Sequence, residues 1–129
     1  MIIAHASSPL SWPEIEDMLK ASDTLALNPK VVHSLGPLEL AYQLAEKSFK
    51  NKKNLAKQFK FEFLLWLSGT RDIQNALQKL GAKNPNEMLL VIFEKNNSII
   101  KKLKAKKKKL ALKKQATWQE LEKIALSRI

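Results

Sequence analysis

The run Glu87-Met88-Leu89-Leu90-Val91-Ile92-Phe93 constrains this chain more than any other stretch. Its apolar side chains follow one another without a polar interruption. The run is far short of the ~20 residues that a membrane-spanning helix needs. It has no polar face to turn toward water, so a strand there must be covered on both sides. The expectation is a central strand in a small sheet.

The remaining segments supply its neighbours. Ile2 and Ile3 in MIIAHA predict a short edge strand, and Thr24–Leu27 a second strand closed by the Asn28-Pro29 turn signal. Between them, Ser11-Trp12-Pro13-Glu14 reads as a capping box that opens a helix with Ile15, Met18 and Leu19 on one face. Gly36-Pro37 opens another helix, whose Leu38, Ala41, Ala45 and Phe49 recur at spacings of three and four. Residues 55–67 read as a helix that is apolar nearly all round in its second half, which implies burial on most sides. Gly69 supplies the positive φ that ends it, and Thr70 is expected to cap a further helix with Ile73, Ala76, Leu77 and Leu80 facing inward. Residues 55–81 therefore predict a helix hairpin with Arg71 at its exposed apex. Residues 97–104 read as a short helix, and Leu110–Leu112 as an edge strand guarded by lysines. Thr117-Trp118-Gln119-Glu120 is a second capping box, opening a last helix with Trp118, Leu121, Ala125 and Leu126 inward. Residues 1–129 thus read as one small α+β (α/β) domain, with a short mixed or antiparallel sheet packed against several helices.

Charge points to a class of partner. The formal net charge is +11, and KKLKAKKKKLALKK at 101–114 holds nine lysines and no acid. Without that run the chain has 14 basic and 12 acidic residues. A second acid-free cluster comprises Lys47, Lys50, Lys52, Lys53, Lys57 and Lys60. Such patches suit a polyanion, most simply a nucleic acid, although lysine runs also serve as plain solvated faces. Lysine outnumbers arginine 21 to 2, which favours phosphate contacts over base reading. The candidate contacts are Lys57, Lys60, Lys104, Lys106, Lys107, Lys108 and Lys109. Arg71 joins them, because free amides at a helix start suit a phosphate.

Several kinds of chemistry lack their residues. The chain has no cysteine and no glycine-rich phosphate loop, and His5 and His33 stand apart without metal-ligand spacing. The expectation is a binding or regulatory protein with no cofactor, no metal site and no catalytic residues. The absence of cysteine fits a reducing cytoplasm. MIIAHASS lacks the basic start and long apolar core of a signal peptide.

Taken in order, the segments resemble a known family. The pattern comprises Ser34, Leu38, Ala41, Ala45 and Phe49; the apolar helix followed by Ser68-Gly69-Thr70-Arg71, an Ile, an Ala-Leu pair and Leu80-Gly81-Ala82; and the closing Leu121–Leu126. It is similar to the TPRKB-like family, the small regulatory, kinase-binding subunit of the KEOPS complex. The resemblance implies an α/β fold with a small sheet and packed helices. It implies docking on the N-terminal lobe of the kinase-like ATPase subunit, and a part in making threonylcarbamoyladenosine in tRNAs that read ANN codons. It further implies tRNA recruitment, partly through the 3′ CCA end, on a surface joining the arginine apex to the last helix, which adds Lys123, Arg128 and Ile129. For the kinase-like partner, Leu38, Tyr42 and Phe59 are the candidate contacts. The chain departs from the family pattern at Pro37, where many relatives carry histidine, at Asp72, where many carry a neutral polar residue, and in the more basic 101–114. A helix–turn–helix DNA binder using 55–81, and a generic RNA-binding protein, remain alternative readings.

Overall fold

The apolar run forms strand β3, Met88–Ile92, and all five of its residues are buried. The structure, a computed structural model, describes residues 1–96, 98–108 and 118–128, the side chains of 118–120 excepted. Among the described residues, β3 is interior to an antiparallel sheet with β1 (Ile2–Ser7), β2 (Thr24–Leu27) and β4 (Lys106–Lys108), in the order β2-β3-β1-β4. The expected α+β class is the observed one. β1 is not an edge strand, however. It lies between β3 and β4, because Ala4 and Ala6 extend the strand beyond the two isoleucines. Their small side chains pack among Ile15, Met88, Leu90, Ile92, Ile99 and Leu103. Helix α1 (Trp12–Lys20) contributes Ile15 to that core. At its start the two side chains of the predicted capping box bond each other, with Ser11 Oγ donating to Glu14 Oε1 at 3.0 Å, and neither caps the backbone.

The described residues divide into two compact units. The first, from 1–32 and 81–111, holds the sheet and α1 with the short α5 (Ser98–Lys102). The edge strand β4 carries three exposed lysines at 106–108. The strand expected at 110–112 lies outside the described residues, as does Thr117 of the second capping box.

The second unit, from 33–80 and 112–129, is helical among its described residues. Helix α2 (Leu35–Lys50) packs on α3 (Phe59–Ser68) and α6 (Trp118–Leu126), and α3 also packs on α4 (Ile73–Leu80). Leu38, Ala41 and Ala45 are fully buried, as are Phe63 and Leu64. Each large apolar side chain in this set contributes about 1.5–3 kcal/mol by leaving water. Helix α3 begins four residues later than its periodicity predicts. Asn54 Nδ2 donates to the Ala56 carbonyl at 2.8 Å, and the Leu55 and Ala56 amides donate to Glu62, so side chains hold 54–56 as a turn instead. Gly69 ends α3 at φ +71°, as expected. The cap of α4 is Asp72, not Thr70: Asp72 Oδ1 accepts from the Gln74 amide at 3.2 Å and its carbonyl from the Ala76 amide at 3.0 Å. Thr70 is engaged elsewhere, its hydroxyl 3.0 Å from that of Ser68. Two inward faces also shift. Leu77 is 40% exposed, and α6 buries Ile124 while Ala125 and Leu126 face out. None of the described helices is long and apolar enough to cross a membrane.

Candidate functional site

The chain's two arginines, 57 positions apart, line one cleft of about 400 Å³. Arg71 is exposed on the turn between α3 and α4, where the Gly69 reversal and the Asp72 cap fix the backbone. Arg128 follows α6. The opposite side comes from α2, with Lys47 and Ser48, and from the connector after it, with Lys53 and Leu55. Trp66 of α3 adds an aromatic surface, anchored where its indole Nε1 donates to Ser48 Oγ at 3.0 Å. Four cationic side chains and a buried aromatic ring thus converge on one concavity. Such a site attracts phosphate by charge.

Arg128 is the most constrained of these groups. Its guanidinium lies 4.0 Å from the Trp66 ring centroid, a cation–π stack. Its Nη1 donates to Glu62 Oε2 at 2.6 Å, with Glu62 fully buried. The other Glu62 oxygen accepts from the amides of Leu55 and Ala56, at 3.0 and 3.1 Å. Burial is the largest influence on this carboxylate and pushes its pKa up. The Arg128 hydrogen bond, the Ala56 amide, the Arg128 charge and the Leu55 amide outweigh it and hold the pKa below its ordinary value. Glu62 therefore stays ionised. Arg128 Nε and Nη2 are shielded from water and lack a hydrogen-bond partner among the described residues.

The other expected contacts fall in different surroundings. Lys57 is exposed on the connector before α3. Lys123 is exposed on α6, its Cε 3.9 Å from where a Cβ on Gly69 would stand, so it adjoins the hairpin turn. Lys60 is only 4% exposed, with Nζ 5.2 Å from the Phe61 centroid, and this removes it from the phosphate-facing set. Lys104, Lys106, Lys107 and Lys108 are exposed in the sheet-containing unit, and Lys108 Nζ donates to the Asn86 carbonyl at 2.7 Å. Lys109 and Ile129 lie outside the described residues. Among the partner-facing candidates, Leu38 is fully buried and belongs to the core, which corrects its place in an exposed patch. Tyr42 and Phe59 are half-buried, their rings edge-to-face at 5.5 Å, and Phe49 lies 5.6 Å from Phe59.

Sequence reasoning missed Glu62 and Trp66 as site residues, and took Lys47 and Lys53 only as members of a basic cluster. Glu62 did leave a signal. A lone carboxylate in an otherwise apolar helix half must find a cation and donors if it is buried.

Two comparisons with known proteins bear on this site. Residues 12–129 match the model of the family described as kinase binding protein CGI-121. A search of the curated proteins finds no match.

Proposed function

The chain belongs to the CGI-121 family of kinase binding proteins, and on that premise we propose that it is the non-catalytic regulatory subunit of a KEOPS complex. In this reading residues 1–129 form one regulatory domain that binds the kinase-like ATPase subunit. It also holds tRNA, including the 3′ CCA end, during threonylcarbamoyladenosine synthesis. The observation that carries the tRNA half is the convergence of Arg71 and Arg128 on one cleft with Lys47, Lys53 and Trp66. A splayed single-stranded end presents phosphates and unstacked bases, the two features that cations and a flat aromatic or guanidinium surface bind. The half-buried ring cluster of Tyr42, Phe49 and Phe59 is the candidate apolar contact for the kinase-like partner.

A gel-shift series tests the tRNA half. Tighter binding of intact tRNA than of tRNA lacking CCA supports it. Preference for duplex DNA supports the helix–turn–helix reading instead, and indifference a generic RNA-binding role. For the partner half, Tyr42→Asp abolishes co-purification of the kinase-like subunit while the circular dichroism spectrum stays native. Unchanged co-purification removes the ring cluster from the interface.

A further inference from the structure

We propose that Glu62 is the positioning residue of this cleft: one carboxylate oxygen fixes the Leu55 side through the backbone, and the other fixes Arg128 on Trp66. Leu55, Arg128 and Trp66 all line the cleft, and Glu62 reaches the first two from beneath while itself fully buried. A cap for the 55–56 turn would need only one acceptor oxygen. The second oxygen instead ties α3 to Arg128, 66 positions further along the chain. A buried carboxylate is costly, and a well-packed neutral residue would fill the space more cheaply. What a neutral residue would not supply is orientation. With Nη1 on Glu62 and a face on Trp66, the guanidinium plane is set, and among the described residues its buried Nε and Nη2 edge has no acceptor. The guanidinium thus brings its charge to the cleft in a fixed place.

This inference rests on the tRNA reading above for its ligand, and its test separates the two. Glu62→Gln, Arg128→Gln and the double variant are compared by titration with tRNA carrying an intact 3′ end. The Arg128 Nε–H signal is followed by nitrogen-15 NMR, where only two arginines need assignment. Glu62→Gln keeps an acceptor for the two amides but presents an amide donor to Nη1. The expected result is that it moves the Arg128 signal to that of a solvated arginine and weakens tRNA binding about tenfold, as a coupled pair does. Arg128→Gln should lose about as much, and the double variant no more than Arg128→Gln alone. An unmoved Arg128 signal, or losses that multiply in the double variant, overturns the proposal. Should Glu62→Gln fail to fold, the neutral Gln–Gln pair must restore folding and bind like Arg128→Gln; a double variant that is also unfolded overturns it. If the wild-type chain binds no tRNA, the proposed function fails. The shift of the Arg128 signal then upholds or overturns the positioning role by itself.

Discussion

Two basic regions of this molecule are built on opposite plans. The lysine run that includes β4 is the strongest charge signal in the chain, yet its lysines at 106–108 stand exposed along a strand. The cleft of the helical unit uses fewer cations. It sets Lys47, Lys53, Arg71 and Arg128 around Trp66, with a buried carboxylate behind them. Exposed lysines on flexible stems attract any polyanion and fix none in place. A planar guanidinium stacked on an indole and bonded to a carboxylate has a defined direction. Charge density and site geometry are thus separate properties, and here they reside in different units.

The comparison breaks most sharply at Glu62. Glu62→Ala leaves the Arg128 charge buried without its partner and two amides without an acceptor, and should destabilise the fold by about 3–5 kcal/mol. Lys107→Glu on the exposed strand should stay within about 0.5 kcal/mol. Denaturant melts of the two variants decide this, and equal effects would erase the distinction. The same carboxylate sets an acid limit. Its folded pKa is held below the ordinary 4.5, so its contribution is fully present above pH 4.5 and disappears as pH falls through the folded value. Melting temperature should therefore drop more steeply in acid for the wild type than for Glu62→Gln.

Ligand binding provides the next contrast. Arg71→Glu should weaken polyanion binding roughly tenfold to a hundredfold, the worth of one charge-assisted contact. It should also lower the salt slope by about 1. Lys107→Glu should cost about two- to fivefold, as exposed charges do. The reverse ranking would move the interface to the strand. Deleting 127–129 is a poor test of the terminal segment, because it removes Arg128 and strands the Glu62 charge. Its effect would mix fold loss with site loss.

Legibility in the sequence follows the same division. Elements set by local pattern were readable: β2 at Thr24–Leu27, β3 within the apolar run, and the Gly69 reversal. The place of Arg71 on the exposed turn was readable too, since a Gly-Thr-Arg-Asp break between two periodic helices leaves little choice. What failed depended on distant partners. β1 is interior because small alanines fit a core assembled from four other elements. Residues 55–58 stay out of α3, with Glu62 holding the amides of Leu55 and Ala56. Lys60 is buried although it belongs to a basic cluster, and Ile124 takes the inward position that simple spacing assigned to Ala125. The 62–128 pair joins residues far apart in the chain, so no local window contains it.

The smallest contrast is also the most symmetrical. Each basic region contains a lysine in left-handed backbone, Lys52 at φ +57° and Lys104 at φ +50°. Each follows a helix and closes the same terminal motif. The Lys53 amide donates to the Ser48 carbonyl at 2.8 Å, and the Ala105 amide to the Ile100 carbonyl at 3.0 Å. Glycine is the usual residue at such a position, and a side chain there costs roughly 1–2 kcal/mol. Glycine's extra freedom in the unfolded chain offsets about 0.5–1 kcal/mol of that. Lys52→Gly and Lys104→Gly should therefore each stabilise by a similar amount, about 0.5–1 kcal/mol in denaturant melts. Their binding should differ. Lys52 stands between Asn51 and Lys53, both of which line the cleft, so its loss should weaken polyanion binding about two- to fivefold. Lys104→Gly should leave binding nearly unchanged. Equal losses from both variants would show that the two regions contribute through net charge alone, and would end the case for the cleft as the more specific site.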